Sequence, residues 1–497
     1  MPSNRYLSIW ENGAFFEERP QWKGEGTAEA VIIGAGITGI LTAHMLKKKG
    51  IDCILLESGR TASGQTRHTT AKITSLHGLM YDQLIKDFGK EKASLYASAN
   101  EEAISQYASL IKDNGISCHF EKLPAYVYST DDLLSIEREV EAAKECGILA
   151  SFTDKTSLPF PVKGAVRFPE QAQFHPLEFL SVLAKSLTIY ENSRVIGIEK
   201  DTVITKEGKV KAKHIILTSH YPFLITPGYY FARMHQERSY CLALKTPYSL
   251  DGTYKEDKKD GYSFRRFEDM LILGGGGHRT GENKTGGQYD SLRTYAKQYF
   301  PEAEEKYSWS AQDCQTLDGV PYIGQFSDQT PNWYIATGFH KWGMTTSMVA
   351  ANLLSDMITG KENPYEQVFT PQRFKLTASI TSLLDETKHS AVGLVLKKLK
   401  PVPQDLSAIN PGSGRVIELE GEKVGIYKTK ENQIFAVDPK CTHLGCQLEW
   451  NEEEETWDCP CHGSRFNYDG TLLDEPAGEP ITRREFHEES PEAETIL

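Results

Sequence analysis

An apolar strand, Ala30 to Ile33, runs straight into a glycine turn, and from Ile37 to about Lys49 the apolar positions recur at helical spacing. A second short apolar strand, Cys53 to Leu56, ends at Glu57. The pattern weakens after that and then recovers. Phe174-His175-Pro176 precedes an amphipathic helix to about Lys185, and residues 192–217 predict a hairpin followed by a buried strand, His214 to Leu217. Residues 231–274 hold further strand-like runs that end in Leu-Ile-Leu-Gly-Gly-Gly-Gly. A Lys-rich stretch of mixed helical character covers 372–402, and Lys398–Pro403 predicts a stiff, proline-flanked exit. From Ile409 onward, short alternating runs separated by turn glycines predict a small antiparallel β fold.

The first turn reads Gly34-Ala-Gly36-Ile37-Thr38-Gly39. Gly34 permits the tight turn, Gly36 lets the backbone approach a pyrophosphate, and Gly39 lets helix and strand pack closely. The helix N-terminus attracts the phosphates. Glu57 stands where a carboxylate takes the ribose hydroxyls. This motif implies a dinucleotide and does not separate FAD from NAD.

Near the other end, Cys441-Thr-His443-Leu-Gly-Cys446 is followed, after twelve residues, by Cys459-Pro-Cys461-His462-Gly-Ser464. Each loop supplies one Cys-x-His or Cys-x-x-His pair. Two thiolates and two imidazoles can hold the irons of a [2Fe–2S] cluster, where neutral imidazole ligands raise the reduction potential. Zinc is the competing reading, though zinc sites of this size use regular Cys and His pairs. A pair of disulfides would leave both histidines unexplained. A cluster of these residues with no metal is the remaining alternative.

The two loops resemble those of the Rieske proteins in residue type, order and spacing. That resemblance implies Cys441, His443, Cys459 and His462 as ligands of a [2Fe–2S] cluster. It also implies a Cys446–Cys461 disulfide, as in the respiratory-type members. Ser464 falls where the family places a hydroxyl donor to a cluster sulfide, and Phe466 falls where many high-potential members carry a hydroxyl-bearing Tyr. Residues 61–76, Thr-Ala-Ser-Gly-Gln-Thr-Arg-His-Thr-Thr-Ala-Lys-Ile-Thr-Ser-Leu, resemble the second flavin-contacting segment of the D-amino-acid oxidase-like flavoproteins. Leu-Asp-Gly-Val-Pro-Tyr-Ile-Gly and Tyr-Ile-Ala-Thr-Gly-Phe-His-Lys-Trp-Gly-Met-Thr-Thr, within 317–349, resemble the stretch that returns to the sheet in that family. The resemblance tips the dinucleotide to FAD and adds Thr69, Thr70, Gly338, Gly343, Met344 and Thr345 to the expected contacts. His68 stands where some demethylating flavoproteins of the superfamily bond the flavin 8α carbon. Its surroundings differ from theirs, which favours non-covalent FAD.

The resemblance implies an α/β Rossmann-type FAD-binding domain with an inserted α+β substrate domain, followed by a small all-β Rieske domain. The expected oxidoreductase domain spans 1–371, with flavin-binding parts at about 1–80, 161–230 and 311–371 and substrate parts at about 81–160 and 231–310. A linker at 372–404 and a Rieske domain at 405–497 follow. The family implies oxidation of a C–N bond in an amine or amino acid. Electrons would pass from flavin through the cluster to an external acceptor. Two other readings are an electron-carrier or redox-sensing protein without a small-molecule substrate, and a reductase with electrons running from cluster to flavin. Catalytic candidates are His340 and Lys341 near the expected flavin ring, and Arg265 or Arg266 as a clamp for a substrate carboxylate.

The length of 497 residues exceeds one compact core. The net charge is −13, and residues from 401 onward hold 8 Lys or Arg against 21 Asp or Glu, which leaves 47 against 47 before them. All the net acidity therefore falls on the iron–sulfur segment. It is a solvated surface or a face for a basic redox partner, and it disfavours nucleic acid. The acidic tail after Glu485 is expected to be disordered. No apolar run approaches the ~18 residues of a membrane span, and the N-terminus shows no secretory or twin-arginine pattern. A cytoplasmic protein is expected, with the five cysteines outside the cluster segment (Cys53, Cys118, Cys146, Cys241, Cys314) as reduced thiols.

Overall fold

The computed structural model describes residues 6–283, 285–373, 406, 409–419 and 421–485. The predicted linker helix beyond Arg373, the exit at Lys398–Pro403 and the acidic tail after Glu485 lie outside the described residues. The chain divides into two compact units, one formed by Met1–His278 with Gln288–Leu383 and the other by Arg279–Gly287 with Leu384–Leu497.

The first unit is built on two sheets. In one, the strands run in the order Tyr322–Gln325, Trp333–Thr337, Gly208–Leu217, Gly24–Ile33, Cys53–Leu56 and Thr188–Tyr190. All neighbours in this order are parallel except the first pair. Ala30 and Ile32 are buried in one apolar cluster and Val31 and Ile33 in another, so the central strand is apolar on both faces. The predicted hairpin is present as Val195–Glu199 with Thr202–Thr205 and leads into the Gly208–Leu217 strand. Helices Ile37–Lys48 and Gly343–Ile358 share one apolar cluster, with Ile40, Leu41, Met348 and Ala351 fully buried in it. A bond of 2.8 Å between Thr38 Oγ1 and Ser347 Oγ joins the two helices.

The second sheet has nine strands. Its main order is Glu304–Thr316, Met234–Lys245, Met270–Arg279, Ser263–Phe267, Thr253–Glu256, Glu121–Ser129, Gly164–Gln173 and Lys72–Ile73. Gly164–Gln173 and Lys72–Ile73 were expected with the flavin-binding parts, yet they pair here. Glu304–Thr316 likewise runs past the expected limit at residue 310. A local pattern announces a strand but not its partner, because pairing is decided by contacts far apart in sequence.

In the second unit, two four-stranded antiparallel sheets cover a small core. One orders Ser413–Leu419, Glu422–Lys428, Ile434–Val437 and Arg483–Arg484; the other orders Glu449–Asn451, Thr456–Asp458, Arg465–Asn467 and Leu472–Asp474. Trp450 and Trp457 meet edge to face at 4.8 Å beside Phe466, Leu448 and Val437. Among the described residues no helix is long and apolar enough to cross a membrane.

Asp318, from the Leu-Asp-Gly motif, holds Arg373 through two bonds of 3.1 and 3.0 Å, and both side chains are almost wholly buried. The same guanidinium donates to the carbonyls of Pro321 and Phe369. Removing one member of a buried pair leaves the other uncompensated. Asp318→Ala should therefore destabilise the first unit by about 3 kcal/mol. A denaturation midpoint equal to that of the parent, followed by tryptophan fluorescence, contradicts this.

Candidate functional site: a dinucleotide cradle and a sulfur–imidazole centre

The glycine turn leaves no room for side chains. Gly34 has φ +104, and a Cβ on Gly39 would stand 2.0 Å from the Gly34 carbonyl oxygen. Glu57 accepts from the Ala35 amide at 2.8 Å and from the Gly59 amide at 2.9 Å. A carboxylate has about four acceptor positions, so the same group can also take ribose hydroxyls. The Ile37 amide, at the start of the helix, donates to Thr66 Oγ1 at 3.0 Å. Gly36 faces that hydroxyl as well. Thr66 was not singled out from sequence; it lies in the flavin-contacting segment that was, and a hydroxyl there was the available signal. Glu191 was missed too. It is buried and holds the same segment by accepting from the Thr61 amide and hydroxyl, both at 2.8 Å.

The segment then passes beside the second glycine-led helix. Thr69 Oγ1 accepts from the Ala71 amide at 2.8 Å, and Ala71 takes a left-handed φ of +53. The Thr74 amide donates to Thr345 Oγ1, which donates back to the Thr74 carbonyl, both at 2.8 Å. Tyr107 fixes the Met344 carbonyl at 2.7 Å. Thr74, four residues beyond Thr70, is thus tied to Thr345 in the first turn of the helix Gly343–Ile358. Gly338, at φ +71, packs against Thr316, where a Cβ would stand 2.3 Å from Cγ2. His68 ends the short turn Gln65–His68, and its carbonyl accepts from Trp309 Nε1 at 2.9 Å.

The arginines expected as a carboxylate clamp are used otherwise. Arg265 is fully buried and donates to the carbonyls of Thr70, Ala71 and Phe174 at 2.6, 2.7 and 3.2 Å. It fixes the backbone of Thr70 and Ala71. Arg266 donates to the Glu268 carbonyl and to Ser249 Oγ. His340 is engaged on both ring nitrogens, with Gln315 Oε1 at 2.5 Å and Thr316 Oγ1 at 2.9 Å. Burial pulls its pKa down to about 4, so the ring is neutral. It holds a left-handed turn at φ +55.

Lys341 behaves differently. Its Nζ lies 3.7 Å from Glu237 Oε2 and 3.1 Å from where a Cβ on Gly277 would stand. Lys259 and His235 also approach Glu237, at 3.1 and 3.6 Å. Burial works to raise the pKa of Glu237, but the His235 bond and the charges of Lys341 and Lys259 outweigh it, and the net shift is downward. Glu237 stands directly opposite Asp313 in the strand register. Burial, opposed by Lys341 and reinforced by Glu237, pushes Asp313 up to about 7. Lys72 is buried, donates to the Tyr254 carbonyl at 3.1 Å, and is held down to about 7 by burial and by Lys255. This face of the sheet is therefore rich in groups that titrate near neutrality.

In the second unit the two cysteine–histidine loops repeat one backbone pattern. The Gly445 amide donates to the Cys441 carbonyl and the Gly463 amide to the Cys459 carbonyl, both at 2.9 Å. The Cys441 and Cys459 thiols are buried and within hydrogen-bond reach of each other. The His443 and His462 rings stand 5.0 Å apart and nearly perpendicular. Burial holds His443 down to about 4, in the neutral form a metal ligand needs. Cys446 and Cys461 form a disulfide with Cα atoms 6.7 Å apart. The sulfurs of Cys446, Cys459 and Cys461 also lie close together, but disulfide sulfurs are not thiolates, which leaves Cys441 and Cys459 as the free thiols of the two loops. Two buried thiols, the buried His462 imidazole and the half-buried His443 imidazole fit a Rieske cluster. Ser464 Oγ accepts from the Ala477 amide at 3.0 Å, which leaves its hydrogen for the neighbouring Cys441 sulfur. Phe466 is fully buried and has no hydroxyl to add.

Residues 29–357 match the model of the FAD-dependent oxidoreductase family, and residues 402–485 match that of the Rieske [2Fe–2S] domain. The chain belongs to the FAD-dependent oxidoreductase family and carries a C-terminal Rieske domain. Its cofactors are FAD and a Rieske-type [2Fe–2S] cluster. A putative Rieske 2Fe–2S iron–sulfur protein, YhfW of Bacillus subtilis, is 36% identical over 491 residues, covering 95% of this chain and 96% of its own. A cytochrome b6-f complex iron–sulfur subunit of Chlorobaculum tepidum is 33% identical over 89 residues, 17% of this chain and 49% of that one. The crystal structure of glycine oxidase from Geobacillus kaustophilus shares the fold, with a TM-score of 0.60 at 18% identity over 70% of this chain and 99% of that one.

Two predictions follow from these surroundings. Ser464→Ala should lower the cluster midpoint potential by deleting a donor to sulfur, and Phe466→Tyr should raise it by adding one. Unchanged midpoints in both variants contradict the loop geometry. Asp313 carries a raised pKa, so its contribution to stability is complete below the ordinary carboxylate range and is lost as pH rises through about 7. Asp313→Asn should flatten the fall in thermal midpoint between about pH 4 and about pH 7. A fall as steep as the parent's contradicts the shift.

Proposed function

We propose that the protein is a dehydrogenase that oxidises a C–N bond of an amine or amino acid, with FAD supplying hydride acceptance and the [2Fe–2S] cluster supplying one-electron transfer to an external acceptor. The observation that carries this reading is the presence on one chain of an amino-acid-oxidase-like fold and a built one-electron centre. A plain oxidase has no use for such a centre.

In this reading Glu57 takes the ribose hydroxyls and the amides at Gly36 and Ile37 take the pyrophosphate, while the turn at Gly343–Thr345 faces the flavin pyrimidine. Lys341 anchors the substrate carboxylate in place of Arg265 and Arg266, whose donors are engaged elsewhere. Asp313, with a pKa at about 7, holds or releases a proton within the same group of side chains. The acidic segment from residue 401 onward suits a basic redox partner as the external acceptor.

Anaerobic screening of amines and amino acids for flavin bleaching tests the substrate class. With a true substrate, the reduced-cluster EPR signal should appear within turnover times. Cys459→Ser should still bleach its flavin once and lose steady activity with an artificial one-electron acceptor. If the flavin reduces fully while the parent cluster stays oxidised for minutes, the dehydrogenase reading fails.

A further inference from the structure

The second unit is not made from C-terminal sequence alone. It includes Arg279–Gly287, which lies about 100 residues before the rest of it, inside the stretch matched by the oxidoreductase family. Nothing in His-Arg-Thr-Gly-Glu-Asn-Lys-Thr-Gly-Gly marks this segment in the sequence. Its packing inside the unit is specific. Arg279, the last residue of the strand Met270–Arg279, is only 8% exposed, and its Nη2 donates to the Cys461 carbonyl at 3.3 Å. Thr280 is buried beside it. Gly281, at φ +79, lies against Pro460, where a Cβ would stand 2.6 Å from both the nitrogen and the Cα. At the far end, the Gly287 amide donates to the Glu453 carboxylate.

Cys461 lies between two cluster ligands, Cys459 and His462, and is joined through its disulfide to the other ligand loop. A guanidinium on its carbonyl therefore acts on both loops at once. We propose that Arg279 is a positioning residue of the iron–sulfur centre, one that holds the Cys459–His462 loop and supplies a buried positive charge that raises the cluster's reduction potential. One-electron reduction adds a negative charge to the cluster, and in an acidic unit that charge is resisted by its surroundings. A fixed cation beside the ligand loop favours the reduced form. Arginine suits the task because its guanidinium stays charged when buried and presents several donors to a carbonyl. Gly281 is the complementary requirement, since a side chain there would separate the segment from Pro460.

The test is an EPR-monitored redox titration of the full-length holoprotein with mediators, which needs no substrate and is independent of the proposed reaction. Arg279→Gln keeps a donor and removes the charge. It should lower the midpoint while iron content and the g-values stay those of the parent. Arg279→Lys should hold the midpoint closer to the parent than Arg279→Gln does. Gly281→Ala should lower the midpoint with Arg279 present, because it lifts the segment from the loop. A parental midpoint in Arg279→Gln at full iron loading overturns the proposal, as does an equal fall in the Lys and Gln variants. If Arg279→Gln does not assemble its cluster, Arg279→Lys decides. Parental midpoint and loading in the Lys variant support the charge, and failure of the Lys variant to assemble overturns it.

Discussion

Charge that is taken out of water must be met by partners, and in this chain those meetings decide where the functional segments lie. Arg265 is the clearest case. Its guanidinium is buried in the second sheet of the first unit and is met by three backbone carbonyls, two of them in the flavin-facing segment Thr70–Ala71. That segment carries a left-handed residue and lies in no helix or long strand, so it needs an outside hold. Asp318 and Arg373 do the same for the stretch that returns to the parallel sheet. In each case, desolvation makes the unpartnered alternative so unfavourable that the backbone has one place to be.

The two cofactor sites use this constraint in different ways. The dinucleotide cradle is mostly backbone. Its cavity depends on the absence of side chains at Gly34, Gly36 and Gly39, and its polar groups are amides and one carboxylate. The iron–sulfur centre is mostly side chain, and its small core is reinforced by a disulfide that joins the two ligand loops. Between these extremes lies the face that carries Glu237, Lys341 and Asp313. Burial and the Glu237 carboxylate opposite it raise the pKa of Asp313, and a lysine from another segment offsets part of that, while Glu237 itself is held down by its basic neighbours. Asp313 therefore has a proton affinity near neutrality without any bound group.

The local features read most directly from sequence were those whose chemistry is contained in a few consecutive residues. The glycine turn with its flanking strands and helix, the helix after His175 and the antiparallel C-terminal fold all stand where the pattern put them. The cysteine–histidine loops are equally local, because ligand identity and loop spacing are written in the same ten or so positions. Residue types at single positions were less informative. Arg265 and Arg266 look alike on paper, yet one is sealed among carbonyls and the other lies toward the surface.

By itself, the sequence determined the types of element and the kind of nucleotide turn, since each follows from short-range sterics, and the resemblance of its cysteine–histidine loops implied the donor set expected at the metal centre. Tertiary structure alone decided which sheet Gly164–Gln173 joins, that His340 is engaged while Lys341 reaches Glu237, and that Arg279–Gly287 belongs with the cysteine–histidine loops. These depend on contacts between residues tens to hundreds of positions apart. No window of the sequence contains both partners, and the free energy that selects them comes from burial and from the pairing of charges, which exist only once the chain has closed on itself.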